Sequence, residues 1–424
     1  MVNECDNTEC KLCGSTALTL VMDFGEVALA GSFLRPEEFT QEQLYRLRLC
    51  FCRDCYLLQI ADVVPPEILF KNYFYFSSAI TMLRDHFADY AAEVTARFLT
   101  PENATVVEIG CNDGVLLKPF AEKNIQTLVG VDPATNIVKT IDDTRINIVN
   151  DFFCERVVGK ILREYGPAHL ICANNVCAHS VDFKDITLGI YRLLDEDGVF
   201  VFEVHYLGKL IEEIQYDMIY HEHIYYYSIL ALSKHFDRHD MEVFDIKPIP
   251  IHAGSMRYYV RKKGRLQTED VSGRVVSLLA EEKEKGYDRE EIFLDYAARV
   301  SASKDKLMAL LDRVGAQGKS VAGYGASGRA NTIIQYCGID HRYLDYIIDD
   351  ASAKWGYYTP GEHFEIRSRQ VLEEQAPEYL LIFAWSYLDA VTERCQNFLS
   401  NGGRMIVPLP DVRVIYHPDM NNAQ

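Results

Sequence analysis

Three groups of side chains in this sequence could do chemistry. The most unusual is the run Tyr220-His221-Glu222-His223-Ile224-Tyr225-Tyr226-Tyr227-Ser228. Imidazole titrates near neutrality, and a neighbouring carboxylate can orient the ring and raise its basicity, so Glu222 and His223 form a candidate general-base pair. The residues leave open which of the two takes the proton. His-Glu-His is too tight for the helical zinc motif H-E-x-x-H, whose histidines need one-turn spacing. The second group is Cys10-x-x-Cys13 with Cys52-x-x-Cys55, four thiolates that can close a tetrahedral zinc site. Such a site has no open position, so the metal would serve structure. The third is VVEIGCNDG, Val106–Gly114, where Glu108, Gly110, Asn112 and Gly114 follow an apolar β-branched stretch.

That third group needs a strand, a glycine turn and a helix in order. The apolar run ending at Glu108 predicts the strand, and VLLKPFAEK after Gly114 predicts the helix. Such a unit opens a pocket at the carboxyl end of a parallel strand. E-x-G-x-x-x-G differs from the dinucleotide fingerprint G-x-G-x-x-G and resembles the first motif of class I S-adenosylmethionine (SAM) methyltransferases. A second run, LVGVD, ends at Asp132 beside Pro133, placed to accept hydrogen bonds from both ribose hydroxyls. Asp151 and Phe152 offer a polar edge and an aromatic face to an adenine. A third run ends at Asn174 and Asn175, and a fourth, GVFVFEV, follows the Asp195–Gly198 turn.

Composition narrows the class. A chain of 424 residues is too long for one core. Its 43 Lys and Arg against 62 Asp and Glu leave a charge of −19, a field that repels nucleic acid and anionic membranes. An anionic substrate would need a local basic pocket. No apolar run approaches the roughly 18 residues of a membrane span, and no signal sequence is read at the start. A cytoplasmic protein is expected, its 12 cysteines being thiols or metal ligands rather than disulfides.

Beyond the amphipathic helix expected over Met82–Phe98, a turn at His252, Gly254 and Ser255 leads into a strand carrying Arg257. A charged helical stretch, Leu278–Leu311, connects it to a last domain that opens with Gly323-Tyr324-Gly325-Ala326-Ser327-Gly328-Arg329. That is a formal G-x-G-x-x-G after a strand, and a second strand ends at Asp349-Asp350, as in a dinucleotide fold. Arg329 at the helix start suggests phosphates. Alone, the motif is a weak signal.

Together, a four-cysteine module, a SAM core carrying YHEH and a Rossmann-like C-terminal domain containing YGA resemble the nucleotide-sugar C-methyltransferases, among them the 3'-C-methyltransferases of branched deoxysugar biosynthesis. The resemblance spans nearly the whole chain. It implies an α/β protein with a zinc-binding module over 1–70, a SAM-dependent methyltransferase domain over 71–250 and a second Rossmann-like, nucleotide-sugar-binding domain over 251–424. It puts zinc on Cys10, Cys13, Cys52 and Cys55, and SAM on Glu108, Gly110, Asn112, Gly114, Asp132, Pro133, Asp151, Phe152, Asn174 and Asn175. Tyr75 is implied at the reacting sugar, His179 near it, and Glu222-His223 with Tyr220 next to the reacting carbon. The substrate is expected on Tyr75, Ser255, Arg257, Tyr324, Gly325, Ser327 and Arg329.

The reaction so implied is methylation of C3' of a 4-keto-deoxy nucleotide-sugar through an enolate. His223 takes the proton, Glu222 orients or assists it, and Tyr75, Tyr220 or His179 bonds the oxyanion. The partners expected are that ketosugar, no nucleic acid and no membrane; the oligomeric state stays open, a monomer being admissible. The rival readings are an NAD-dependent nucleotide-sugar oxidoreductase and a non-enzymatic zinc-bearing scaffold.

Overall fold

The computed structural model describes residues 5, 8–70, 77–79, 81–266 and 270–416. Tyr75 therefore lies outside the described residues.

The chain begins as an antiparallel pair, β1 (Leu18–Ala28) and β2 (Leu44–Cys52), extended by β3 (Leu58–Ile60). Gly14 N donates to Cys10 O and Tyr56 N to Cys52 O, both at 2.8 Å, so each Cys-x-x-Cys turns its thiols to one side. One expectation fails here, because Cys5 and Cys50 form a disulfide rather than remaining thiols. Cys5 N donates to Leu18 O, and β1 pairs Leu20 with Cys50, so the chain before β1 lies along the strand that faces Cys50.

After helix α1 (Thr81–Phe98) come β4 (Thr105–Ile109), β5 (Thr127–Val131), β6 (Ile146–Val149), β7 (Ala168–Asn174) and β8 (Leu194–His205). All five are parallel, and their apolar runs reflect burial on both faces. Next, β9 (Tyr225–Tyr226) leaves this sheet and pairs with β3, which fastens the YHEH run to the N-terminal module. The hairpin β10 (Met241–Ile249) and β11 (Ser255–Lys262) closes the edge, giving the order β10-β11-β8-β7-β4-β5-β6. Because β11 pairs antiparallel with β8, Arg257 opposite Glu203, the central sheet runs past the boundary at 250 read from sequence. Strands β4 to β6 step one way and β7 to β8 the other, which opens a crevice at the carboxyl ends of β4 and β7.

The charged stretch forms two helices, α2 (Gly273–Lys285) and α3 (Glu290–Ala316). Gly286, at φ +84, ends the first in the left-handed region. The last domain contains β12 (Val321–Tyr324), α4 (Gly328–Cys337), β13 (Ile347–Ile348), β14 (Ile366–Arg367), β15 (Tyr379–Ile382), β16 (Arg404–Val407) and the antiparallel β17 (Arg413–Ile415). Its order is β14-β13-β12-β15-β16-β17. The N-terminal module also docks on this domain: Glu42 Oε2 lies 2.9 Å from His363 Nε2, and Phe39 stacks on the same ring at 3.9 Å. Among the described residues no helix is long and apolar enough to cross a membrane.

Candidate active site

The three residues of His-Glu-His face three different regions. His221 Nε2 lies 3.0 Å from Arg46 O on the N-terminal sheet. Glu222 faces Gly31 so closely that a Cβ there would stand 2.5 Å from its Oε1. His223 packs edge-on against His179, with ring centroids 5.0 Å apart. The His223 Nδ1 atom is 2.8 Å from Met218 O, which can only accept, so Nδ1 carries the proton. Nε2 then carries the lone pair, 3.0 Å from the Tyr220 hydroxyl. This corrects the expectation that Glu222 orients the ring, since both ring nitrogens have other partners.

Glu222 itself has no hydrogen-bond partner among the described residues, and burial pushes its carboxyl up to about 7. Burial acts oppositely on the imidazoles. His179 is pushed down to about 4 and His205 to about 3, while His223 falls well below its ordinary value, helped by the field of His179. These rings are therefore neutral at pH 7. The pocket is dry.

The segment 174–179 ties this pocket to the first glycine turn. Gly110, at φ +69, has Val176 so close that a Cβ would stand 2.2 Å from Val176 Cγ2. Val176 O accepts from His179 N at 2.9 Å, and Ala178 O from Ile224 N at 2.7 Å. Tyr227 donates to Cys177 O and Tyr225 to Val181 O, each at 2.8 Å. The tyrosines after His223 thus staple the two loops together.

Around the turn, Glu108 Oε2, Asp113 Oδ1 and both amide atoms of Asn174 are buried without a partner among the described residues. Burial and the fields of Asp132 and Asp113 push Glu108 well above its usual range, and burial raises Asp132 as well. A cationic ligand with donor groups would satisfy such a cluster, and SAM, with its sulfonium and ammonium, has that chemistry. Asp132 accepts from Asn112 N (2.9 Å) and Ala134 N (2.8 Å), leaving lone pairs for ribose hydroxyls. Ser77 N and Ser78 N donate to Asn112 Oδ1 and Asp113 Oδ2 at 3.0 and 3.1 Å. Gly114 takes φ +74, Asn175 φ +56, and Pro133 is half-buried between Asp132 and the turn at Ala134. Asp151 is paired with Arg156, which leaves Phe152, 44% exposed, as the open aromatic face.

The Sγ atoms of Cys10, Cys13, Cys52 and Cys55 all lie within 4.8 Å of one another, with Cys10 to Cys55 at 3.5 Å and Cys13 to Cys52 at 3.7 Å. Zinc–sulfur bonds of about 2.3 Å give tetrahedral edges of about 3.8 Å. The thiolates fit zinc.

The residues expected to hold substrate are largely committed elsewhere. Arg257, 2% exposed, pairs with Glu203 at 2.7 Å and Glu93 at 3.1 Å and lies over the Tyr90 ring, so it holds α1 to the sheet rather than a phosphate. Ser255 donates to Ile251 O, and Tyr324 donates to Asp350 Oδ2 at 2.8 Å. Gly325 serves packing: a Cβ there would stand 2.8 Å from Ala384 Cβ and 3.0 Å from its backbone N. Ser327 caps α4 by accepting from Ala330 N. Asp349 accepts from Ala326 N and Ala351 N, each at 2.8 Å. Lys354 Nζ adds a third bond to Asp349 at 3.1 Å, a cation that Asp132 at the first turn lacks among the described residues. Arg329 does face the segment before Tyr220, its Nε donating to buried Asp217 Oδ2 at 2.8 Å beside Trp385 Nε1, also at 2.8 Å.

Asp217, Gln215, Glu203, His205 and Gly31 were not singled out from sequence. Arg257 inside an apolar strand was the available signal for Glu203, because a buried guanidinium requires a carboxylate. The others act across more than one domain and leave no local pattern.

Comparison with known proteins covers the chain in three parts. A family model described as "Putative zinc binding domain" matches residues 10–70, "Methyltransferase domain" matches 82–246, and "C-methyltransferase C-terminal domain" matches 250–410. The chain is 32% identical over 408 residues to C-methyltransferase NovU of Streptomyces niveus, with 96% of each chain covered. Similar solved structures include a S-adenosylmethionine-dependent methyltransferase from Clostridium acetobutylicum, at 14% identity and TM-score 0.33 over 43% of this chain and 92% of that one. Another is the CcbJ methyltransferase from Streptomyces caelestis, at 11% identity and TM-score 0.33 over 42% of this chain and 89% of that one.

Proposed function

The chain belongs to the SAM-dependent C-methyltransferases, and from that premise we propose that its methyl acceptor is a nucleotide-linked 4-keto-deoxysugar, methylated at C3' through an enolate. The observation that supports this most is convergence. The Gly110 turn and the His223 ring both pack on segment 174–179, so a donor at one and a carbon acid at the other would meet over the same segment.

SAM, when bound, supplies an electrophilic sulfonium methyl. The protein must generate the nucleophile, align it and exclude water. A C–H bond beside a ketone can be deprotonated by a well-placed base, and the His223 Nε2 lone pair becomes such a base when the Tyr220 hydroxyl that donates to it turns to the substrate oxygen. Burial depresses the basicity of this imidazole in the free enzyme. That penalty is offset during the reaction, because imidazolium and enolate appear together as an ion pair. Tyr220, His179 and Tyr75 are the donors for the oxyanion. Glu222, with its carboxyl at about 7, is the alternative proton acceptor. Arg329, held by Asp217 at the start of α4, is the candidate cation for the nucleotide phosphates.

The test is mass spectrometry of 4-keto-6-deoxy nucleotide-sugars incubated with the enzyme in deuterated water. With SAM the sugar should gain a methyl group; without SAM it should still exchange the C3' proton. His223→Asn should lower both by about 10³-fold. Unchanged exchange in that variant, with loss in Glu222→Gln, would transfer the role of base to Glu222.

A further inference from the structure

One imidazole in the pocket has no structural task. Ile251-His252-Ala253-Gly254 is a tight turn closed by Gly254 N donating to Ile251 O at 3.0 Å. Its two central residues, His252 at φ +51 and Ala253 at φ +63, both take the left-handed conformation although neither is glycine. That pair of angles is the I′ geometry, which glycine and asparagine adopt at low cost and which strains alanine or histidine. The surroundings enforce it. Ala253 O accepts from Gln215 Nε2 at 3.0 Å, Gln215 Oε1 lies 2.7 Å from His205 Nε2, and Gly254 O accepts from Tyr206 N at 3.1 Å. Gly254 itself, at φ +110, has Lys209 Cγ 2.6 Å from where a Cβ would stand.

The strained turn lies at the carboxyl end of β8, where Ser255 pairs with His205. His252 makes no hydrogen bond to any described residue. Its charge state is set first by burial, then by the fields of Glu203, Arg329 and His86, and its own field acts on His179, His205 and His223. Glu203 borders the SAM crevice, since its carbonyl accepts from Asn175 N at 2.8 Å. The turn that carries His252 thus stands at the carboxyl end of β8, the strand that also borders the methyl-donor side, and the field of its ring reaches the proposed base His223. Burial pushes it down to about 4, so it is a neutral imidazole with an N–H to give. A neutral ring polarises a carbonyl without a formal charge, and it neutralises no base.

We propose that His252 is a further catalytic residue, its imidazole N–H hydrogen-bonding the ketone oxygen that becomes the enolate oxygen when His223 removes the neighbouring proton. No bond to His252 forms or breaks; the proton goes to His223 and the electron pair to the oxygen. This rests on the ketosugar reading above.

His252→Gly separates chemistry from folding, because glycine relieves the left-handed strain that histidine bears. The variant should melt at or above the wild-type temperature and bind SAM within about twofold of wild type. Its C3' exchange and kcat should fall by about 10²–10³-fold, with KM for the ketosugar changing far less. Added imidazole should restore at least tenfold of the lost exchange. Exchange at the wild-type rate, a lowered melting temperature, or no restoration by imidazole would each overturn the assignment of His252. Wild-type enzyme that neither exchanges nor methylates any 4-ketosugar would instead sink the substrate reading, and this inference with it.

Discussion

Two glycine turns in this molecule share one grammar and differ in where their polar atoms go. The turn after β4 holds Gly110 and leaves Glu108 Oε2, Asp113 Oδ1 and the Asn174 amide buried without partners among the described residues. The turn after β12 holds Gly325, and there the acids meet protein donors: Asp349, beyond two backbone bonds like those on Asp132, takes Lys354 Nζ on Oδ2 at 3.1 Å, and Asp350 takes the Tyr324 hydroxyl and Arg394. Glycine has a different reason at each. Gly110 lets the loop pass Val176 at the mouth of a crevice, whereas Gly325 lets the loop press on the backbone of Ala384. A glycine fingerprint therefore marks a close approach, and unsatisfied buried acceptors beside it mark the approach of something not in the chain.

The sharpest way to break this contrast is to add one methyl group to each turn. Gly110→Ala places a Cβ 2.2 Å from Val176 Cγ2 at φ +69. Titration should then show SAM affinity lower by at least about 100-fold, about 2.7 kcal/mol. Gly325→Ala meets Ala384 at 2.8 Å at φ +99. It should cost about 2 kcal/mol of unfolding free energy in urea and leave the SAM dissociation constant unchanged. A loss of SAM binding in the second variant, or saturable NAD binding to the wild type, would erase the distinction between the turns.

The first turn was legible because its elements are local. Strand, glycines and helix fall within one stretch, as do the two Cys-x-x-Cys pairs, and spacing alone carries such patterns. The second turn is harder to read because the same spacing says nothing about Ala384, nearly sixty residues away, which packs against Gly325. Likewise, Arg257 read as a phosphate ligand, while its partner Glu203 stands across a strand pairing that periodicity does not reveal. The disulfide at Cys5 depends on how the chain lies along β1. Residues that join domains, Asp217 to Arg329 and Gly31 to Glu222, require the tertiary arrangement. Motifs told which chemistry was present; pairing across the fold decided which groups were free to perform it.

Unpaired acids carry a cost that paired ones do not, which gives the smallest but most discriminating test. Burial raises Glu222 from 4.5 to about 7, so between those values the folded protein holds a proton that the unfolded chain has released. Stability contributed by this group must therefore fall as pH rises through that window and stay low above it. A shift of that size corresponds to at most about 3 kcal/mol, and water entering the half-buried pocket reduces it to about 1 kcal/mol. Glu222→Gln should accordingly melt higher than wild type at pH 8 and show no gain at pH 4. In the same variant the bend near pH 7 in kcat/KM should vanish, while the neutral histidines keep the rest of the profile flat. Asp349→Asn, at the satisfied turn, should lose stability at pH 8, because it removes an acceptor already in use. If Glu222→Gln instead destabilised the protein at pH 8, the carboxylate would have a partner in solution, and the rule that unpartnered acids mark the ligand-facing turn and pocket would fail.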